Sequence, residues 1–264
     1  MLLNINEILH PTDFSKPAKN AFTYTREIAL KVNAKIVVMH SSKLPYAYGS
    51  EIKMQEAVYN DEYKDLHIEP TIEFGDTVSN ILKFSGDLIV MGSTGKTNMG
   101  KVLFGSVSSE ILLNSKIPVL IAPTDQPYST FSHLIFATDY RERDLEILGE
   151  LTTWAKLFDA EITVLHITPE DNLESSINFR GFKKLAEENI DNPEKINFKL
   201  IIDKDFTRGI FSSLNRKKGQ LLVMTRTKKT LIQSLLNQDH IQQTVYSKVP
   251  LLVLPGEETL DKEK

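Results

Sequence analysis

Hydrophobic residues along the chain follow two alternating patterns. Short continuous apolar runs, such as residues 88–91 and 221–224, are typical of strands buried on both faces of a parallel sheet. Between these runs, apolar residues recur every three or four positions, as on one face of an amphipathic helix. The alternation predicts an α/β protein with open, doubly wound parallel sheets of the Rossmann-like kind.

Five strands with four intervening helices are predicted in each half of the chain. The predicted strands are 6–11, 35–40, 68–74, 87–92 and 118–122, then 133–137, 161–167, 196–202, 220–224 and 250–254. The first helix is expected to begin after Ser15, which can cap it, with Pro17 in the first turn, where a missing N–H costs nothing. Its predicted inner face consists of Ala18, Ala21, Phe22, Thr25, Ile28 and Ala29.

The chain repeats itself. ILHPTDF at 8–14 resembles LIFATDY at 134–140, and AKIVVMH at 34–40 resembles AEITVLH at 160–166. Both pairs are 126 positions apart, and similar pairs recur later at slightly larger offsets. A fixed offset of this kind indicates a duplicated unit. We therefore expect two domains, 1–126 and 132–264, joined by a linker with the turn-forming residues Asp125, Pro127 and Ser129.

Composition and charge narrow the class of protein. Hydrophobic residues make up 41% and charged residues 25% of the 264, as in ordinary globular proteins. No apolar run approaches the roughly 20 residues of a membrane helix, and the first residues lack the features of a secretory signal. There is no cysteine. The net charge of −4 is shared equally by the two halves, which argues against nucleic-acid partners. We expect a cytoplasmic protein without a membrane partner.

A glycine-rich loop follows the fourth predicted strand. Gly92, Gly95, Gly105 and Ser106 have the spacing G-x2-G-x9-G-S, between a strand and a helix. Such a loop lets backbone N–H groups approach phosphate oxygens, and the helix N-terminus adds the positive end of its dipole. The alternative is that these glycines only permit tight turns. A P-loop is excluded because Val90 stands where its first glycine is required.

Together, these motifs resemble the universal stress protein family in its tandem, two-domain form. The similar segments are PTDFS at 11–15, DLIVMG at 87–92, the glycine loop, and IPVLIAP at 117–123. The resemblance implies a bound adenine nucleotide, usually ATP, with ADP or AMP as alternatives, at the carboxyl ends of the strands. It assigns phosphate and ribose to the glycine loop, the base or ribose to Asp13, and adenine to the backbone of Ser41. The implied binding residues are Thr12, Asp13, Ser41, Gly92, Gly95, Gly105, Ser106 and Val107.

Some polar residues near the predicted strand ends allow two interpretations. Asp13 either lines the nucleotide site, where it is also a candidate Mg²⁺ ligand, or caps its own helix. His40 and His166 recur at matched strand ends, which favours a structural role over catalysis or metal binding. No histidine has the spacing of a known metal motif.

The second copy has lost the glycine loop. Thr225 stands for Gly92, Lys228 for Gly95 and Asp239 for Gly105, and an aspartate at that place would repel phosphate. An anion site built from Arg226, Lys228 and Lys229 is the alternative. We therefore expect one nucleotide site, in the first domain, and a mainly structural second domain.

The resemblance also predicts that the last strand of each half pairs with the other, as in a family dimer made covalent. It implies an ATP-binding stress or regulatory protein with an unknown protein partner, and leaves homodimer formation open. The alternatives are slow ATP hydrolysis or phosphoryl transfer, for which no catalytic set of residues stands out, and a nucleotide-free scaffold, against which the glycines argue.

Overall fold

The computed structural model describes residues 4–43, 53–54, 64–94, 104–191, 195–214, 218–226 and 248–256. The elements of the first half are β1 (Glu7–Pro11), α1 (Lys16–Val32), β2 (Lys35–Ser42), β3 (Ile68–Phe74), α2 (Thr77–Leu82), β4 (Leu88–Gly92), α3 (Ser106–Asn114) and β5 (Val119–Ala122). Those of the second half are β6 (His133–Ala137), α4 (Glu142–Phe158), β7 (Glu161–Thr168), α5 (Leu173–Asn189), β8 (Ile196–Ile202), α6 (Phe206–Ser213), β9 (Gln220–Thr225) and β10 (Leu251–Leu254).

The ten predicted strands are all present, within about two residues of their expected ends. The described residues contain three of the four helices expected in each half. In the first half the fourth predicted helix falls mainly outside the described residues, of which 53 and 54 are helical. In the second half the fourth predicted helix falls wholly outside them. The predicted linker residues Asp125, Pro127 and Ser129 lie between β5 and β6.

All ten strands form one sheet, in the order β3-β2-β1-β4-β5-β10-β9-β6-β7-β8. Each half is parallel throughout, and β5 pairs antiparallel with β10, with Leu120 opposite Leu252. This arrangement places the two halves in an approximate two-fold relation and confirms the predicted pairing of the last strands. The pairing covers two apolar edges that would otherwise be exposed.

Helix α1 begins where the sequence predicts, for the expected reason. Ser15 Oγ accepts a hydrogen bond from Ala18 N–H at 3.3 Å, and Asn33 ends the helix in the left-handed conformation. The periodic pattern did not single out Tyr24, which is buried. Its hydroxyl donates to Gln126 O at 3.2 Å and so fixes the linker against α1.

Two apolar cores cover the two faces of the sheet. One lies beneath α1 and α4, and the other beneath α2, α3 and α6. A row of aromatic rings continues the first core across the linker between the halves: Tyr24, Tyr128, Phe131, Phe158 and Trp154, with neighbouring centroids 5.1 to 5.8 Å apart. The linker is therefore part of a packed interface.

Candidate functional site

A cavity of about 350 Å³ lies at the carboxyl ends of the first-half strands. β1 has β2 on one side and β4 on the other, so the chain order reverses at this point of the sheet, where doubly wound proteins bind ligands. Seven of the eight predicted binding residues line the cavity, namely Thr12, Asp13, Ser41, Gly92, Gly105, Ser106 and Val107. The eighth, Gly95, lies outside the described residues.

The N-terminus of α3 opens into this cavity. Gly105 occupies the N-cap position and has no side chain with which to accept the first N–H groups of the helix. By contrast, Ser15 caps α1, and Asp76 caps α2 by accepting Ser79 N–H at 2.8 Å. Among the described residues no side chain caps α3. Its first N–H groups, at the positive end of the helix dipole, are thus suited to bind an anion.

Hydrogen bonds hold the start of α3 against the end of β4. Gly105 N–H donates to Ser93 O at 2.8 Å, and the Ser108 hydroxyl donates to the same carbonyl at 2.7 Å. The Ser93 hydroxyl lies 2.9 Å from the Thr124 hydroxyl, which follows β5. These contacts fix the N-terminus of α3 relative to the ends of β4 and β5.

Asp13 lies at the edge of the cavity and does not cap α1. Its Oδ1 accepts Ser15 N–H at 3.0 Å, in a turn that precedes the helix, while Ser15 is the capping residue. The structure therefore gives the capping role to Ser15 and leaves the Asp13 carboxylate beside the cavity.

His40 and His166 make matched contacts in the two halves. His40 Nδ1 lies 2.8 Å from Thr12 O, and His166 Nδ1 lies 2.7 Å from Thr138 O. His40 also packs against the ring of Phe14, and His166 against the ring of Tyr140. The backbones of Phe14 and Tyr140 are both in the left-handed conformation (φ 60°). Because the second copy keeps this arrangement without the glycine loop, it supports the structural interpretation of both histidines.

Gly92 has a packing role that its motif did not reveal. A Cβ at Gly92 would lie 3.0 Å from the carbonyl carbon and oxygen of Pro17, in the first turn of α1. The glycine therefore lets the end of β4 approach the helix closely. In the second half the corresponding residue is Thr225, which has a side chain. The need for a glycine at this strand end is therefore specific to the first half.

Several cavity residues carried no motif in the sequence. These are Met39 and Met91 on strands, Thr77 and Ile81 on α2, Thr94 just after β4, and Ser108 on α3. Met39 lies two positions before Ser41, and Met91 lies one position before Gly92. Their closeness in sequence to predicted site residues was a signal that could have identified them. Thr77 and Ile81 reach the site only through the packing of α2 on the sheet.

The corresponding region of the second half has different chemistry. Asp144 stands at the position of Ala18, a cavity residue, and is only 1% exposed. Its Oδ2 accepts the Thr138 hydroxyl at 2.7 Å and Arg141 N–H at 3.1 Å. Burial raises the pKa of the Asp144 carboxyl. Of the other predicted differences, Thr225 is buried at the end of β9, and Lys228, Lys229 and Asp239 lie outside the described residues.

Within the described ranges, no three histidine or acidic side chains come together as a metal site. The same part of the chain contains no helix that is both long and apolar enough to cross a bilayer.

The fold defines an α/β protein of two similar halves, with a cavity at the strand-order reversal of the first half. The sequence profile of the universal stress protein family matches residues 4–123. Universal stress protein MJ0531 of Methanocaldococcus jannaschii is 30% identical over 44% of this chain and 80% of its own length. MJ0577 of the same organism is 24% identical over 46% of this chain and 96% of its own length. The chain therefore belongs to the universal stress protein family.

Solved structures show that the two-unit fold occurs elsewhere. A universal stress protein from Archaeoglobus fulgidus superposes on this chain with a TM-score of 0.72. The superposition covers 97% of this chain and 98% of the A. fulgidus chain. It is 22% identical, so the likeness concerns the fold. Because both chains are covered almost completely, the arrangement of two five-stranded halves along one chain is shared.

Proposed function

We propose that this protein binds an adenine nucleotide, with ATP as the expected form, in its first half, and that nucleotide occupancy changes a surface recognised by a regulatory protein partner. The observation that carries the proposal is the uncapped N-terminus of α3 in a cavity that also contains Thr12, Asp13 and Ser41. The helix end would bind phosphate, and the strand ends would bind the ribose and the base.

The shape and polarity of the cavity support a nucleotide. Its volume of about 350 Å³ lies in the usual range for small-molecule sites. Met39, Ile81 and Met91 provide apolar surface for a flat base, while Asp13 provides a carboxylate that can accept hydrogen bonds from ribose hydroxyls. Asp13 is also the residue we would expect to contact Mg²⁺ on a bound nucleotide.

We further propose that the second half binds no nucleotide and serves as a structural domain. The buried Asp144 carboxyl occupies the place of Ala18, and a carboxylate there would repel phosphate. The second half instead completes the sheet through β10. Domains 1–126 and 132–264 would thus be one binding unit and one supporting unit.

Nucleotide content and titration test the proposal. Purified protein is extracted with acid and any released nucleotide is identified by chromatography, and then stripped protein is titrated with ATP by calorimetry. We expect Gly105→Leu to abolish binding, because a bulky residue would obstruct the N-terminus of α3. The control is Gly181→Leu, since Gly181 is an exposed residue of α5 with open space around its would-be Cβ. Equal ATP affinity in both variants would contradict the assignment.

A further inference from the structure

A polar pair lies where β2 meets α2, at one wall of the cavity. Ser41 lines the cavity, and Asn80 of α2 is only 8% exposed. Asn80 Nδ2 donates to Ser41 Oγ at 3.4 Å and to Phe74 O at 3.3 Å. An amide nitrogen carries two hydrogens, so these two contacts account for both donors of Asn80.

The second half has an apolar pair at the corresponding place. Ile167 stands at the position of Ser41, and Gly209 at that of Asn80, four residues after the capping aspartate of its helix. A Cβ at Gly209 would lie 2.8 Å from Ile167 Cγ2, so the isoleucine fills the space that a side chain would need. The polar pair therefore belongs to the half that contains the cavity.

The contacts of Asn80 determine what Ser41 can offer a ligand. A hydroxyl has one hydrogen to donate, and since Ser41 Oγ already accepts from Asn80, its own hydrogen is available to a different acceptor. Asn80 supports the hydroxyl from the α2 side and is not itself among the residues that line the cavity. Ser41 can thus donate into a cavity whose lining also includes Met39, Thr77 and Ile81.

We propose that the Ser41 hydroxyl, positioned by Asn80, donates a hydrogen bond to a ring nitrogen of the bound base and so selects bases that carry an acceptor at that edge. This inference rests on the proposed nucleotide function. A site that presents a hydrogen-bonding group discriminates against analogues that lack the matching group, because the group of the protein is then left unpaired.

Three ATP analogues, in which N1, N3 or N7 of adenine is replaced by C–H, test the proposal by titration against ATP. We expect one of them to bind the wild-type protein about two- to tenfold more weakly than ATP, because this is the loss in affinity when one neutral hydrogen bond is removed. The ratio of ATP affinity to the affinity for that analogue should fall to about one in Ser41→Ala. Asn80→Ala should reduce the ratio while leaving ATP bound. The double variant Ser41→Ile with Asn80→Gly, which introduces the pair of the second half, should behave like Ser41→Ala.

Ser79→Ala is the matched control. Ser79 lies next to Asn80 on α2, is exposed, and donates its hydroxyl to Asp76 at 2.8 Å, away from the cavity. This variant should keep the wild-type ratio. The inference is overturned if the three analogues bind wild-type protein as ATP does, or if Ser41→Ala keeps the same ratio. If wild-type protein binds no ATP, the proposed function itself fails.

Discussion

Replacement of Gly92 by alanine separates a packing role from a ligand role. A methyl group at this position would meet the backbone of Pro17 at 3.0 Å and its Cβ at 3.2 Å. Those distances are shorter than ordinary van der Waals contact, and the backbone of a capped helix cannot rotate away as a side chain could. Gly92→Ala should therefore force β4 and α1 apart.

The expected loss follows from two opposing terms. Overpacking of this kind costs about 1 to 3 kcal/mol. The lower chain entropy of alanine in the unfolded state returns about 0.5 to 1 kcal/mol. We expect a net loss of up to about 2.5 kcal/mol in the free energy of unfolding, centred on about 1 kcal/mol and measured without nucleotide.

Gly181→Ala is the comparison, because the same chemical change there has the opposite expected sign. Gly181 is an exposed interior residue of α5 with open space around its would-be Cβ. Alanine should stabilise that helix by up to about 1 kcal/mol. Urea unfolding followed by circular dichroism should give midpoints on either side of the wild-type value. A gain in stability in Gly92→Ala, like the one expected for Gly181→Ala, would refute the packing explanation, because alanine stabilises a site in which its methyl group meets no clash.

Three further predictions concern pH, charge and the contact between the halves. Burial lowers the pKa of His10 to about 4, so the unfolded chain binds more protons between pH 6.5 and 4. The free energy of unfolding should fall over this range by up to about 3 kcal/mol, and His10→Gln should remove most of that fall in pH-dependent urea titrations. Ala18→Asp, which copies Asp144, should abolish ATP binding in calorimetry while circular dichroism stays unchanged; retained affinity would contradict the repulsion argument. Arg226 Nη1 donates to Leu112 O at 3.4 Å, near the end of α3, whose last turn has no basic residue. Arg226→Met should therefore speed amide hydrogen exchange in α3 severalfold, and equal exchange would show that the contact contributes nothing.

Much of the fold was predictable because buried parallel strands leave a strong signal. Runs such as 88–91 and 221–224 are apolar throughout, so their type and their order along the chain were readable. The repeat supplied the second check, since each strand of one half has a counterpart in the other. Ser15 and Pro17 fixed the start of α1 for reasons of local chemistry.

The candidate site was only partly predictable. Residues in the loops after β1 and β4 form recognisable motifs, and the topology brings these loops together. Thr77, Asn80 and Ile81 come from a short helix with no motif, and their position depends on how α2 packs against the sheet. The close approach of Gly92 to Pro17 likewise depends on tertiary geometry and cannot be read from spacing.

The location of bound nucleotide tests the central claim most directly. Stripped protein is titrated with ATP to obtain the number of sites per chain, and a crystal of the saturated protein is examined at both sets of strand ends. We predict one site, with the phosphates at the N-terminus of α3 and the base beside Ser41. An empty first-half cavity together with nucleotide beside Thr138 and Asp144 would contradict the account.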